Sequence, residues 1–144
     1  MVQLKIKKLA SNAIIPKYAN PGDAGMDLFS VEKYSIKPGE RTLVKTGISV
    51  EFPHGYEMQI RPRSGLALKK GISIVNTPGT IDAEYRGEVG IILINHGNEV
   101  FEINQGDKIA QAVLNKIEFG EIEEVTELSD TERGSGGFGS TGHK

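Results

Sequence analysis

Apolar and polar residues alternate along several short stretches of this chain, which is the pattern of half-buried β-strands. Four stretches follow it: residues 4–7, 47–52, 56–60 and 100–103. Two others, Val89–Ile94 and Ile109–Leu114, are almost continuously apolar and predict more fully buried strands. Turns such as Lys37–Glu40 and Gln105–Asp107 separate the stretches. Many short strands with little helix predict an all-β fold, a jelly-roll-like barrel or sandwich.

Two segments of the chain depart from the strand pattern: one predicts a helix, and the other has a different composition. Pro62 interrupts the chain before Ser64–Lys70, the only segment that predicts a helical turn. From Glu118 onwards the chain is acidic and less apolar, and residues 133–142 contain five glycines. Such a segment cannot bury a core of its own. We therefore predict a β domain over residues 1–132 and a flexible glycine-rich arm over residues 133–144.

Composition and charge exclude several classes of function. The chain has 144 residues, which suits one domain, and its net charge of −2 provides no general attraction for a nucleic-acid backbone. The absence of cysteine excludes disulfides, zinc–thiolate sites and thiol catalysis, and the three histidines lack metal-ligand spacing. No apolar run suits a signal peptide or a membrane helix. We expect a soluble, cytoplasmic protein that binds neither nucleic acid nor membranes.

The glycine-rich arm contains groups that could bind a nucleotide. Its glycines spell G-x-G-x-x-G, but too few residues follow for the helix that a dinucleotide-binding motif requires. Glycine N–H groups can nevertheless surround phosphate oxygens, and Arg133, Ser140 and Thr141 add a cation and two hydroxyls. Phe138 could stack on a flat base. The alternative is an unstructured terminus without a ligand.

A second candidate segment lies between Pro78-Gly79 and Gly87. Asp82 and Tyr85 are three residues apart, so a regular strand would place them on opposite faces, whereas a tight hairpin would bring both into one pocket. Asp82 could then orient or deprotonate a water molecule. Without such a pocket, the segment would be a solvated hairpin with surface charges.

Three shorter segments offer ligands for phosphate or metal. Arg61–Gly65 supplies two cations, a hydroxyl and a glycine at a strand end, although a basic turn would have the same composition. Asp23 and Asp27 could help to hold a hydrated magnesium ion, or could only form a turn. Gln111 interrupts an apolar run, and a buried amide there requires a partner in the fold or in a ligand.

The order of these segments resembles the five motifs of the trimeric dUTPases. They occur as Ala24–Leu28, Arg61–Gly65, Asn76–Gly87, Gly106–Gln111 and Arg133–Gly142. The match spans residues 24–142, and five motifs in order are far more specific than any one of them. Met26 stands where many relatives have an aromatic residue or leucine, and no polar position departs from the pattern.

The resemblance implies a homotrimer of jelly-roll-like β subunits (the β-clip fold) with three sites, each built from all three chains. It implies magnesium-dependent hydrolysis of dUTP to dUMP and pyrophosphate, which limits uracil in DNA and supplies dUMP for dTMP synthesis. Asp82 would activate the attacking water, and Asp27 would contact the metal through water. The substrate-binding residues would be Arg63, Ser64, Gly65, Asn76, Gly79, Asp82, Tyr85, Gln111, Arg133, Phe138, Gly139, Ser140 and Thr141.

The same resemblance implies which motif contacts each part of the substrate. Asn76 and the backbone near it would read uracil, and Tyr85 would leave no room for a 2′-hydroxyl. Residues 63–65 and Gln111 would hold the α- and β-phosphates. The arm would close over the γ-phosphate and the base.

Two functional alternatives remain open at the level of sequence, beside a structural all-β protein that has no ligand. A dCTP deaminase has a related fold and can include a dUTP-hydrolysing variant, although it lacks a Phe-Gly-Ser-Thr tail of this kind. A non-catalytic trimer that signals by binding another protein would also keep the fold. Ammonia release from dCTP would identify the first, and absence of dUTP turnover would identify the second.

Overall fold

The computed structural model describes all 144 residues, which form twelve β-strands and one short α-helix. The first strands are β1 (Lys5–Lys8), β2 (Lys17–Tyr18), β3 (Met26–Phe29), β4 (Tyr34–Ile36), β5 (Arg41–Lys45), β6 (Ile48–Glu51) and β7 (Tyr56–Arg61). After them come α1 (Ser64–Lys70), β8 (Ile72–Ile74), β9 (Gly79–Ile81), β10 (Gly90–Asn95), β11 (Phe101–Ile103) and β12 (Lys108–Lys116). The mostly-β prediction and the predicted helix are confirmed.

The strands form four sheets in which every pairing is antiparallel. The largest sheet has the order β2-β3-β12-β7-β9. The others have the orders β5-β10-β8, β1-β6 and β11-β4. Most neighbouring strands are distant in sequence, so the chain crosses repeatedly from one sheet to another.

One hydrophobic core lies between the sheets and draws on all four of them. Its 21 buried residues include Leu28 of β3, Ile36 of β4, Val50 of β6 and Leu93 of β10. Removal of this apolar surface from water is the main favourable term in folding. The core therefore fixes the strands whose ends carry the candidate site residues.

The predicted strands lie within two residues of their expected bounds, with one error in burial. Ile109–Leu114 belongs to β12 and is mostly buried, as predicted, because β12 is the middle strand of the largest sheet. Val89–Ile94 was predicted to be equally buried, but β10 alternates instead. Leu93 is buried in the core, whereas Ile92 and Ile94 are partly exposed. One face of β10 is therefore only partly covered within a single chain.

A β-bulge in β12 decides which of its side chains share a face. Lys108 pairs with Phe29 and Gln111 pairs with Asp27, so β12 uses one residue more than β3 over this interval. The two residues that follow Lys108 are both buried as a result. Lys108 and Gln111 therefore face the same way, although their spacing of three would oppose them in a regular strand.

The chain beyond β12 has no regular secondary structure. Its last backbone hydrogen bond to the β domain runs from the Ile117 N–H to the Gly55 carbonyl, at 2.9 Å. Residues 118–135 are all exposed. The single helix of the chain is neither long enough nor apolar enough to cross a membrane.

Candidate functional site

An open cleft of about 600 Å³ lies where β3, β12 and α1 meet, and we call it the basic cleft. Residues 23–25 with Asp27 form one of its walls and residues 63–66 form another, and Lys108 and Gln111 of β12 also line it. Lys69 and Lys70 of α1 complete its lining. Four cationic side chains thus face two carboxylates, and the basic cleft carries an excess of positive charge.

Asp27 lies at the electrostatic centre of the basic cleft. Its side chain is only 14% exposed, and its carboxylate lies 2.9 Å from Lys108 Nζ and 3.5 Å from Arg63 Nε. Two ion pairs this close compensate the cost of placing the charged carboxylate away from water. The same ion pairs hold both cations beside the cleft, and the bulge in β12 brings Lys108 to the correct face.

Gln111 joins β12 to the segment that precedes α1. Its Nε2 donates to the Pro62 carbonyl at 2.9 Å, so the partner that this amide requires lies in the fold. The side chain also lies against Gly25, where a Cβ would collide with Gln111 Oε1. Gly25 of the first motif is therefore required for the close approach of a residue of the fourth motif.

The end of β7 gives the basic cleft its backbone donors. Pro62 cannot continue a paired strand, and Arg63 precedes α1 with extended backbone angles of φ −92° and ψ 130°. The first turn of a helix leaves N–H groups without intrahelical partners, and here these belong to residues from Ser64 onwards. Open N–H groups and cations at one place suit an oxyanion such as phosphate.

Sequence reasoning missed three cations of the basic cleft: Lys69, Lys70 and Lys108. Lys108 was missed because a period of two places it opposite Gln111, and the bulge that reverses this is not visible in the sequence. Lys69 and Lys70 lie in the last turn of α1, beyond the motif that carries Arg63, so the motif offered no reason to include them.

A second, much smaller cavity of about 70 Å³ lies at the start of β9. Asn76 and Gly79 line it together with apolar side chains such as Ile60 and Ile74. It shares no residue with the basic cleft. A narrow apolar pocket with one amide suits a flat ring that has a hydrogen-bonding edge.

Asp82 lies on a turn that follows β9. The Tyr85 N–H donates to the Asp82 carbonyl at 3.1 Å and closes a β-turn. The strands on either side, β9 and β10, belong to different sheets, so the segment is a closed turn and not a hairpin of two paired strands. The Asp82 carboxylate is exposed and forms no ion pair. We call Asp82–Glu88 the 82–88 turn.

Tyr85 has a defined position although 46% of it is exposed. Its hydroxyl donates to the Glu88 carbonyl at 2.9 Å, and its ring lies over Gly87, where a Cβ would collide with the ring. Glu88 is itself fixed, because its carboxylate accepts a hydrogen bond from the Gly47 N–H at 2.9 Å. The ring can therefore serve as a wall without first having to be ordered.

The predicted site residues of the arm lie apart from both cavities. Every hydrogen bond of residues 131–142 stays within that segment, such as the one from Arg133 Nε to the Gly136 carbonyl at 2.9 Å. Phe138 is fully exposed. Within one chain the predicted residues thus form three separate groups: the basic cleft, the β9 segment with the 82–88 turn, and the arm.

The dUTPase family model matches residues 11–142, which include all five motif segments. The chain belongs to the dUTPase family. A relative from Nautilia profundicola, named deoxyuridine 5'-triphosphate nucleotidohydrolase, is 60% identical over 141 residues, which are 98% of this chain and 99% of the relative. The resemblance drawn from the motifs is confirmed, and dUTPases are dUTP diphosphatases.

Two solved structures of phage dUTPases share the fold of this dUTPase-family chain. The dUTPase of Staphylococcus bacteriophage 80alpha with dUPNHPP superposes with a TM-score of 0.92 at 32% identity, over 98% of this chain and 99% of that one. A variant of the dUTPase of phage phi11 of S. aureus, in which a structural Mg(II) ion is coordinated, has a TM-score of 0.82 at 30% identity. That match covers 88% of this chain and 98% of the phage chain.

Gly25→Ala should weaken triphosphate binding without unfolding the domain. The new methyl group must displace Gln111, which then loses its hydrogen bond to the Pro62 carbonyl. One such bond contributes about 0.5–1.5 kcal/mol, so the Kd for dUPNHPP should rise about two- to tenfold in calorimetric titration. Gly120→Ala is the matched control, because open space surrounds Gly120. An unchanged Kd for Gly25→Ala would show that this contact does not matter for affinity.

Proposed function

We propose that this chain hydrolyses dUTP to dUMP and pyrophosphate by attack of water at the α-phosphorus. Family membership supports dUTP as the substrate, and the phage relative binds dUPNHPP, an analogue of it. The observation that carries the proposal is the basic cleft, where cations, a hydroxyl and open N–H groups lie together. These are the groups that a triphosphate requires for charge neutralisation.

Asp82 is the proposed general base. Its carboxylate has no cation beside it, so it is free to accept a proton from water and to orient that water. Attack at phosphorus needs little covalent help from the protein, and it depends mainly on an oriented nucleophile and on neutralised phosphate oxygens. The closed turn at Tyr85 supports this role because it fixes the backbone that presents Asp82.

The basic cleft is the proposed site of the α- and β-phosphates. Arg63 would contribute a planar cation, Ser64 a hydroxyl and Gly65 an unobstructed backbone, because nothing lies within 4 Å of a Cβ at Gly65. Gln111 Nε2 uses one hydrogen on the Pro62 carbonyl and has a second to donate. Gln111 would therefore both hold the cleft together and contact phosphate.

The β9 segment is the proposed site of base and sugar selection. Asn76 and the backbone at Gly79 would bind the polar edge of uracil at the small cavity, and its close walls would select against larger bases by steric contact. Tyr85 would pack under the deoxyribose. Because its ring is fixed over Gly87, it would exclude a 2′-hydroxyl by steric contact.

Mg²⁺ is the proposed cofactor. The chain has no group of three or more carboxylate, imidazole or thiolate side chains that could hold a metal ion alone. The single ion-paired carboxylate Asp27 fits an ion that arrives on the triphosphate and keeps several waters, since Mg²⁺ dehydrates reluctantly. Asp27 would bind one of those waters, and the bound ion would neutralise charge on the phosphate oxygens.

A homotrimer with shared sites is the proposed assembly. The three groups of site residues are separate within one chain, so a complete site requires parts from different copies. The partly exposed Ile92 and Ile94 of β10 offer apolar surface for contact between copies. Residues 1–132 would form the assembled β domain, and residues 133–144 would form a lid.

Pyrophosphate release from dUTP tests the function directly. The assay should compare dUTP with dTTP, dCTP and UTP, with and without Mg²⁺. We expect turnover of dUTP with Mg²⁺, slow turnover of the other nucleotides, and no ammonia from dCTP. Ammonia release would indicate a deaminase, and absence of any turnover would leave a non-catalytic binding protein.

Asp82→Asn should leave binding of dUPNHPP largely intact and should lower kcat strongly. The amide keeps the shape of the side chain but cannot accept the proton of water. General bases contribute typically about 10²–10⁴-fold, and kcat should fall within that range. Near-normal kcat in this variant would remove Asp82 from the mechanism.

Deletion of residues 133–144 should abolish most turnover while the melting temperature and the oligomer size stay unchanged. In the proposed lid, Arg133, Ser140 and Thr141 bind the γ-phosphate, the backbone turns at Gly139, and Phe138 covers the uracil. Closure would exclude water and place positive charge near the leaving pyrophosphate. Protease cleavage of the arm should slow when dUPNHPP and Mg²⁺ are both present. Full activity of the shortened protein would contradict the lid.

A further inference from the structure

Arg86 ties the 82–88 turn to strand β6, and the function proposed above assigns no role to it. Its Nη2 lies 3.3 Å from Glu51 Oε1 at the end of β6. Its Nη1 donates to two carbonyls of the turn, that of Ala83 at 2.7 Å and that of Tyr85 at 3.2 Å. One guanidinium therefore connects three points, of which two lie on the turn and one lies on the sheet.

Few side-chain contacts hold the first part of the 82–88 turn in place. Most of its side chains are exposed, so burial of apolar surface contributes little to its conformation. A second side-chain pair reaches it, between His54 and Glu84 at 3.3 Å, but these side chains are 77% and 81% exposed. Pairs as exposed as this one contribute little to stability. The hydrogen bond from the Gly47 N–H to the Glu88 carboxylate, at 2.9 Å, fixes the end of the turn. The contacts of Arg86 are the main side-chain link of the part that carries Ala83 and Tyr85, next to Asp82.

Only arginine has the donors for this arrangement. Its guanidinium presents five N–H donors in a rigid plane, which lets one group bond two carbonyls and a carboxylate together. A lysine ammonium at the same place would keep the positive charge, but it is a compact group on a flexible stem. The geometry, and not the charge alone, is what Arg86 supplies.

Glu51, the partner of Arg86 on β6, carries its negative charge near neutral pH. The hydrogen bond and the charge of Lys5, at 3.2 Å, and then the charge of Arg86 lower the pKa of Glu51. A carboxyl group with a lowered folded-state pKa stabilises the fold above its unfolded pKa, and this stabilisation is lost as pH falls through the folded pKa. The link between turn and sheet therefore persists at neutral pH and is lost only in acid.

We propose that Arg86 is a positioning residue, anchored by Glu51, that keeps Asp82 and Tyr85 in the relative placement that the reaction needs. The proposal rests on the function proposed above, because it assumes that Asp82 orients water and that Tyr85 borders the sugar. The guanidinium acts through the turn and does not touch the substrate. Small displacements of reacting groups lower rates strongly, so loss of this link should be visible in kcat.

Steady-state kinetics of Arg86→Lys and Arg86→Gln test the proposal. We expect kcat to fall by up to about a hundredfold in both variants while KM changes much less. The preference for dUTP over UTP should also fall, because Tyr85 moves with the turn. Glu51→Gln should show a smaller loss in the same direction. The double variant of Glu51→Gln with Arg86→Gln should lose no more than Arg86→Gln alone, because both changes break one link.

Lys5→Gln is the matched control, because it removes the other cation of Glu51 and leaves the bonds of Arg86 intact. Its kcat should match that of the wild type. Hydrogen exchange at the Tyr85 amide gives a readout that does not depend on turnover. Exchange should be faster in both Arg86 variants and unchanged in Lys5→Gln.

Wild-type kcat and selectivity, or unchanged exchange, in a folded Arg86 variant would overturn the positioning role. If neither Arg86 variant folds, Glu51→Gln carries the test with the same readouts. A wild-type protein that does not hydrolyse dUTP would contradict the proposed function instead. The exchange measurements would then still decide whether Arg86 orders the turn.

Discussion

The register of β12 against β3 is the constraint on which the basic cleft depends. The bulge after Lys108 turns this side chain to the face that carries Gln111 and Asp27. In a regular strand Lys108 would point to the opposite face, and the mostly buried Asp27 would keep only Arg63, at 3.5 Å. With the bulge, Asp27 forms two ion pairs, and these hold Arg63 and Lys108 beside the cleft. Gln111 then reaches the Pro62 carbonyl and fixes the start of α1.

Much of the fold could be predicted because local patterns specify strands, turns and the helix after Pro62. The order of the motifs was enough to indicate the family and to collect the residues of the basic cleft around Arg63. Lys108 could not be predicted, because reasoning from a period of two assumes a regular strand. The partial exposure of Ile92 was also missed, since an apolar run does not show whether the same chain covers both faces. The closed turn at Tyr85 depends on Gly47 and Glu51, which are distant in sequence.

The three groups of site residues are held in three different ways. Asp27, Lys108 and Gln111 of the basic cleft lie on neighbouring strands of the largest sheet, which the core holds in place. The 82–88 turn is exposed, and hydrogen bonds through Arg86 and Tyr85 hold it. The hydrogen bonds of the arm reach no further back along the chain than Thr131. This order, from rigid to free, suits the proposed reaction, in which phosphates bind to a fixed surface, the lid closes over them, and a positioned water then attacks.

The central claim is that a complete site takes its basic cleft and its 82–88 turn from different copies of the chain. Asp82→Asn inactivates the turn and Arg63→Gln inactivates the cleft, so each variant alone should be nearly inactive. The decisive measurement is the dUTP hydrolysis rate of the two variants after they are unfolded together in equal amounts and refolded. Random assembly would pair an intact turn with an intact cleft in about one quarter of the sites, so we expect about a quarter of the wild-type rate. A mixture no more active than either variant alone would contradict the shared site.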